Sequence, residues 1–384
     1  MLVRLGVPLA IAAMVAAGSV HGSDSARPAC IDRAPWVLAE PDGVGAAADP
    51  TDTPTLDVAT YNVHSGLGLS FALFRRRADV ERNLRAIARS IAGAARDAAG
   101  PDVVALNEVD FGSRRSAWID EPRFIADEVE TITGTPYRVI RGETWRRDVP
   151  GFEVRFGNAA LVRLPVVEAT TCLFDDLAAC GISSQPAVPP RRRNAGVLGR
   201  LLREPRGIIR LTVRRDERLV DVLVTHLDAF AAREREAQAS ALLSQVLRPD
   251  RTTVLLGDMN AVPTSLTSGR WMFSDDRTHA ILATGGLADA CISLASLRGQ
   301  RSLAAWATYP ADAPVWGLDW VLGSLDLAPE DAATIGGTAS DHRGLAVRYR
   351  WLTDDAAIAG ARRRHGSVCA RLRAFDDTCG PRGS

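Results

Sequence analysis

The stretch Thr252-Thr253-Val254-Leu255-Leu256-Gly257-Asp258-Met259-Asn260 decides how the chain is read. From Thr253 to Leu256 it is β-branched and apolar without polar alternation, the pattern of a strand buried on both faces. Gly257 breaks the strand, and Asp258 and Asn260 follow two residues apart, a spacing that lets both face one side of an extended backbone. A carboxylate and a carboxamide at a strand end can be site residues or ordinary turn formers, and the stretch alone supports both.

Outward from it, strands alternate with helices. Upstream, Leu56 to Asn62 reads as a strand running into the polar cluster Tyr61-Asn62-Val63-His64-Ser65-Gly66. Val80, Leu84, Ile87, Ala88, Ile91 and Ala95 recur at helical spacing, and Gly100-Pro101 ends that helix. A strand over Asp102 to Asn107 delivers Glu108, a helix is expected near Ile125 to Thr131, and short strands near Tyr137 to Arg141 and Ala159 to Arg163. The segment Cys172 to Pro205, with Pro186, Pro189, Pro190 and the run Arg191-Arg192-Arg193, has no periodicity and reads as a long surface loop, either functional or a mere insertion. Ile208 to Val213 and Leu219 to Thr225 read as a hairpin whose second strand delivers His226. A helix carrying Ala239, Leu242, Leu243 and Val246 ends at Pro249. Downstream lie Leu318 to Leu322 with Asp319, then Ser340-Asp341-His342 before a strand over Leu345 to Tyr349.

The ends of the chain have a different character. Residues 1–22 carry Arg4, an apolar run from Gly6 to Ala17 and small residues up to Gly22, as a cleaved export leader does; a retained anchor is the alternative. No other segment could cross a bilayer, so the mature chain is expected to have no transmembrane segment, to be secreted or periplasmic, and to act as a monomer. Residues 23–54 read as a linker or surface arm and 351–384 as a polar tail. In an oxidising compartment the six cysteines suggest disulfides, and closeness in sequence favours Cys172–Cys180 and Cys369–Cys379, leaving Cys30 for Cys291. Cysteine spacing of the zinc-binding kind is absent. Basic and acidic residues balance at 46 each, every basic one an arginine, which speaks against tight nonspecific binding along a nucleic-acid duplex but leaves room for an arginine-lined cleft.

Polar groups recur at the strand ends: Asn62, Glu108, His226, Asp258, Asn260, Asp319, Asp341 and His342. Carboxylates crowded at one sheet edge repel by roughly 4 kcal/mol per pair at about 4 Å and a moderate dielectric, a cost that a divalent cation removes. Oxygen ligands such as Glu108, Asp341 and the Asn62 carbonyl suit magnesium or manganese rather than zinc.

The segments Thr60-Tyr61-Asn62-Val63, Leu106-Asn107-Glu108-Val109, Gly157-Asn158-Ala159, Val224-Thr225-His226-Leu227, Gly257-Asp258-Met259-Asn260, Leu318-Asp319-Trp320-Val321 and Ser340-Asp341-His342 resemble the ordered motifs of the endonuclease/exonuclease/phosphatase superfamily, the deoxyribonuclease-like metal-dependent phosphohydrolases. The resemblance covers about residues 55–350 and implies a four-layered α/β sandwich, two mixed β-sheets packed face to face with helices outside. It implies Glu108 as the Mg2+ (or Mn2+) ligand with Asn62 and Asp341 near its shell. Asp258 and Asn260 would then hold the attacking water and a phosphate oxygen, with His226 and the Asp319-oriented His342 bracketing the phosphate. Asp258 and His342 are both candidates for the general base. Asn158 is expected to bind phosphate, and His64 to contact substrate or to be structural. Two departures stand out: Asn107 precedes Glu108 where the family more often has Gln, and Gly317-Leu318 occupy positions where many relatives place an arginine and isoleucine, so a phosphate-side arginine is expected to be missing. The implied substrate is a phosphodiester, either nucleic acid or a phospholipid or small phosphate ester as in sphingomyelinase-like enzymes. A binding protein that has lost catalysis is the rival reading, opposed by the intact motif set.

Overall fold

The computed structural model describes residues 54–69, 76–149, 152–182, 204–248, 250–263, 276–300 and 302–378. The expected leader, nearly all of the arm, Cys30, Cys379 and Arg191–Arg193 lie outside the described residues.

Twelve strands form two six-stranded sheets. The first has the order β11-β12-β1-β2-β4-β3, from β1 (Thr55–Asn62), β2 (Val103–Asp110), β3 (Arg138–Val149), β4 (Phe152–Val162), β11 (Leu327–Ile335) and β12 (Gly344–Trp351). The second has the order β5-β6-β7-β8-β10-β9, from β5 (Val166–Leu173), β6 (Gly207–Arg215), β7 (Arg218–His226), β8 (Thr252–Asp258), β9 (Leu287–Asp289) and β10 (Asp319–Ser324). Each is mixed, with β1–β2 and β7–β8 parallel and the other pairs antiparallel.

The side-chain period of two explains the layers. In β8, Val254 and Leu256 join Val58, Val103, Ala105, Val222 and Val347 in the core between the sheets, while Leu255 faces the other way. Leu255, Leu223 and Leu322 pack under Ala239 of α3 (Ala232–Ala241), Leu242 and Val246 of the π-turn after it, and Leu282 of α4 (Thr278–Thr284). On the far side, Ala59, Tyr61, Val104 and Leu106 pack under Val80, Leu84, Ile87 and Ile91 of α1 (Arg77–Ala92) and Ile125 and Val129 of α2 (Glu121–Thr133). The result is the expected four-layered sandwich, and β8 is buried on both faces as its unbroken apolar run requires.

Some elements differ from expectation. The edge strands β5 and β11, α5 (Ala290–Leu297) and the helix α6 (Asp355–Thr378) in the polar tail were not legible. The Cys172–Cys180 bridge is made. The thiol of Cys291 is free and buried in the core between the sheets, which corrects the expected Cys30–Cys291 pairing. No described helix is long and apolar enough to cross a membrane.

Candidate active site

One edge of the sandwich collects the polar strand ends. The parallel strands β1, β2, β7 and β8 bring their C-terminal ends to it with Asn62, Glu108, His226 and Asp258. Antiparallel β10 starts there, placing Asp319 opposite Asp258, and Asp341 and His342 lie just before β12. Direction of the strands, not proximity in sequence, gathers these groups.

Three backbone features aim them. The β2–β4 register shifts between Leu106 and Val109, and Glu108 adopts φ 55°, so β2 continues through a bulge instead of ending. Without the bulge Asn107 and Glu108 would point to opposite faces; with it both are turned to the site edge. Gly257 has φ 144°, and a Cβ there would collide with the Thr225 carbonyl, so close approach of β7 and β8 requires glycine. Asn260 adopts φ 48°, and its backbone N–H donates to Asp258 Oδ1 at 2.8 Å.

At the centre, Asn62 Nδ2 donates to Glu108 Oε1 at 3.1 Å and to Asp258 Oδ2 at 3.0 Å. Its Oδ1 accepts from the His64 N–H, so the amide donor rather than the carbonyl faces the carboxylates. Asp258 Oδ2 lies 3.7 Å from His342 Nε2 and 3.6 Å from His226 Nε2. His342 Nδ1 lies 2.8 Å from Asp319 Oδ2; a carboxylate only accepts, so Nδ1 carries a proton. Tyr309 tilts against the His342 ring at 4.8 Å and stacks on Trp316. Asp341 faces His64 at 3.4 Å, and Ser340 ties the same turn to the Asn62 carbonyl.

Electrostatics follow from burial. Burial and the nearby Asp319 push the Asp258 carboxyl up to about 7, against His342 and the Asn62 and Asn260 donors. Burial alone would lower His342, but Asp319 and Asp258 raise it to about 10. Burial, and then the Arg206 guanidinium, hold His226 well below the ordinary imidazole range. Burial would raise Glu108, but the surrounding imidazoles and the Asn62 amide bring it below the usual carboxylate range. Burial also raises Asp341.

The Glu108–His226–Asp258 and Asp258–Asp319–His342 groups each present ligand atoms within 4.8 Å of one another. With Glu108 half-exposed at the rim and two acids behind it, the donor set is oxygen-rich and fits a hard divalent cation, with Asn62 able to offer Oδ1 by a half-turn of its amide.

Four contributors were given no role by the sequence reading, although Asn107 and Ser340 lie inside its motifs. Asn107, fully buried, donates to Asn158 Oδ1 at 2.9 Å and to the Thr225 carbonyl at 3.0 Å, and accepts from the Asp258 N–H at 2.9 Å. Arg206, Tyr309 and Ser340 are the others; none sits in a periodic pattern that would have marked it. Asn158 reaches the site edge through Asn107.

The sequence matches the endonuclease/exonuclease/phosphatase family over residues 59–342. No curated protein matches it. Among solved structures the chain is similar to an endonuclease/exonuclease/phosphatase from Beutenbergia cavernae (19% identity over 78% of this chain and 72% of that one, TM-score 0.51). It is also similar to one from Bacteroides vulgatus (12% identity, 78% and 99% covered, TM-score 0.51) and to a family protein from Leptotrichia buccalis (15% identity, 76% and 98% covered, TM-score 0.50). At these identities the structural likeness speaks for the fold, while the family match spans most of the chain: the protein belongs to the endonuclease/exonuclease/phosphatase family, whose members are generally metal-dependent hydrolases of phosphoester bonds.

Proposed function

We propose that the chain is an exported, magnesium- or manganese-dependent phosphodiesterase that cleaves its substrate by direct attack of water. The observation that carries this reading is the convergence of Asn62, Glu108, Asp258 and the Asp319–His342 pair at one sheet edge. Glu108 would hold the cation, with Asn62 and Asp341 completing its surroundings. When bound, the cation supplies charge neutralisation for the anionic diester.

Asp258 takes the proton of the attacking water, since a buried carboxyl raised to about 7 is basic enough near neutrality. Asn260 holds Asp258 through its backbone N–H. His342, kept as the imidazolium by Asp319, donates from Nε2 to a phosphate oxygen where negative charge develops, with His226 and Asn158 as further donors.

Residues 1–22 act as leader, 23–54 as arm, 55–350 as the catalytic domain and 351–384 as tail of a monomer. The Cys172–Cys180 bridge supports an oxidising compartment. The substrate is a nucleic acid, a phospholipid or a small phosphodiester. Purified protein lacking the leader should be assayed on plasmid DNA, RNA, sphingomyelin, inositol phosphates and bis-nitrophenyl phosphate, with magnesium and with chelator. Chelator-sensitive hydrolysis of at least one is expected; silence across the panel would instead support a binding protein.

A further inference from the structure

Both ring nitrogens of His226 face nitrogen donors. Arg206 Nη1 lies 2.9 Å from Nδ1, and Asn260 Nδ2 lies 2.8 Å from Nε2. A neutral imidazole accepts at one nitrogen and donates from the other. The guanidinium has five N–H groups and no acceptor, so Nδ1 must be the accepting nitrogen and Nε2 must carry the proton. Protonating both nitrogens would set N–H against N–H at the Arg206 contact and a cation against a cation.

Arg206 is itself held. It sits immediately before β6, its side chain is 7% exposed, and the same Nη1 donates to Glu204 Oε1 at 2.8 Å. The two hydrogens of one nitrogen thus serve Glu204 and His226. The second conflict, Nε2–H against the Asn260 amide, remains, because Asn260 Nδ2 also donates to the Leu227 carbonyl at 3.1 Å and would lose that bond by turning its oxygen to the ring. An acceptor that displaces the Asn260 amide from Nε2 would relieve it. Nε2 faces the side of the site where Asp258 and Glu108 lie, 3.6 and 3.9 Å away, which is where a phosphate oxygen would enter.

We propose that Arg206 is a positioning residue that fixes the tautomer of His226, placing the ring proton on Nε2 so that this histidine enters the site as a hydrogen-bond donor to the phosphate. The role as donor to phosphate rests on the phosphodiesterase reading; the tautomer does not. It separates the two histidines: His342 is oriented by a carboxylate that accepts from a protonated Nδ1, His226 by a guanidinium that donates to an unprotonated one.

The test is nitrogen-15 NMR of the histidine side chains in the full-length mature protein, with His226 assigned by His226→Gln. Wild type should show Nδ1 at the unprotonated and Nε2 at the protonated shift. Arg206→Met should move the proton to Nδ1 or mix the tautomers, and should lower kcat by roughly 10–100-fold with KM little changed, as expected when the orienting partner of a site histidine is lost. Arg206→Lys, which still donates, should restore the wild-type pattern and most of kcat. The double variant Arg206→Met/Glu204→Gln removes the unpaired acid should the single variant fold poorly. A proton on Nδ1 in wild type overturns the proposal, as does an unchanged kcat in Arg206→Met of an enzyme that is active. If wild type hydrolyses no diester but shows the Nε2–H tautomer, the phosphodiesterase reading fails and the Arg206 assignment stands.

Discussion

The side-chain nitrogen of Asn107 donates a 3.0 Å hydrogen bond to the backbone carbonyl of Thr225, tying β2 of one sheet to β7 of the other at the edge where the site lies. The same carboxamide holds Asn158 and the Asp258 backbone, so one side chain uses both donors and its oxygen to register the two sheets. Asn107→Ala would leave the Thr225 carbonyl and the Asp258 N–H buried and unpaired, each worth about 1–3 kcal/mol. A loss of about 2–4 kcal/mol in urea unfolding is expected, with a fall in activity as Asp258 loosens. An unchanged midpoint would show that the sheets are registered without it.

The Asp319–His342 pair should be the most sensitive point for rate at little cost in stability. Asp319→Asn keeps the shape but removes the charge that sustains the imidazolium, and by analogy with acid-oriented histidines elsewhere kcat should drop about 10²–10⁴-fold. Steady-state kinetics beside a thermal melt check this; a loss of less than tenfold would remove Asp319 from the mechanism.

Glu108 is the half-exposed acid at the rim, and its amide variant should bind the cation worse. Glu108→Gln is expected to weaken magnesium and manganese binding by at least tenfold in isothermal titration calorimetry and to cost several orders of magnitude in rate, with the melting temperature retained. Equal affinity in both proteins would place the cation elsewhere.

A buried pair that takes no part in the site gives opposing pH effects. His279, with both ring nitrogens unpartnered among the described residues, is lowered by burial to about 4, and Asp289, 4.0 Å away, is raised by burial to about 6. A histidine with a depressed folded pKa loses stability as pH falls from about 6.5 to about 4, because the unfolded chain takes up the proton first. A carboxyl with a raised folded pKa loses stability as pH rises from about 3.9 to about 6, because the unfolded chain ionises first. Each effect is on the order of 3 kcal/mol, and in wild type they largely offset. Asp289→Asn should therefore uncover a decline toward acid, and His279→Phe, which keeps the edge contact with Trp320, a decline toward neutrality. Urea midpoints between pH 4 and 7 would reveal this; parallel profiles for the two variants would rule it out.

What the sequence determined by itself was the set of central strands and the groups at their ends. Buried strands such as Thr253–Leu256 must be continuously apolar, so an abrupt Asp258 or His226 after one is conspicuous, and the ordered motifs carried the family and the four layers. Edge strands were not legible for the complementary reason. β5 exposes Val167, Ala169 and Thr171 and fully buries only Cys172, and β11 contains Pro329 and acidic residues, so each is a strand only because β6 or β12 pairs with it. α6 lacks a clear apolar stripe and reads as polar tail.

Only the tertiary structure decided how the site groups are aimed. The bulge that turns Glu108, the Asn107 bridge between sheets and the Arg206 contact behind His226 depend on partners 118 and 20 residues away along the chain. Hydrogen-bond direction at such contacts is set by three-dimensional neighbours, and no local pattern records it. Thus Asp258 and Asn260 could be recognised as strand-end polar groups from nine residues, but the burial of Asp258 and the neighbours that define its basicity came from the packing of two sheets.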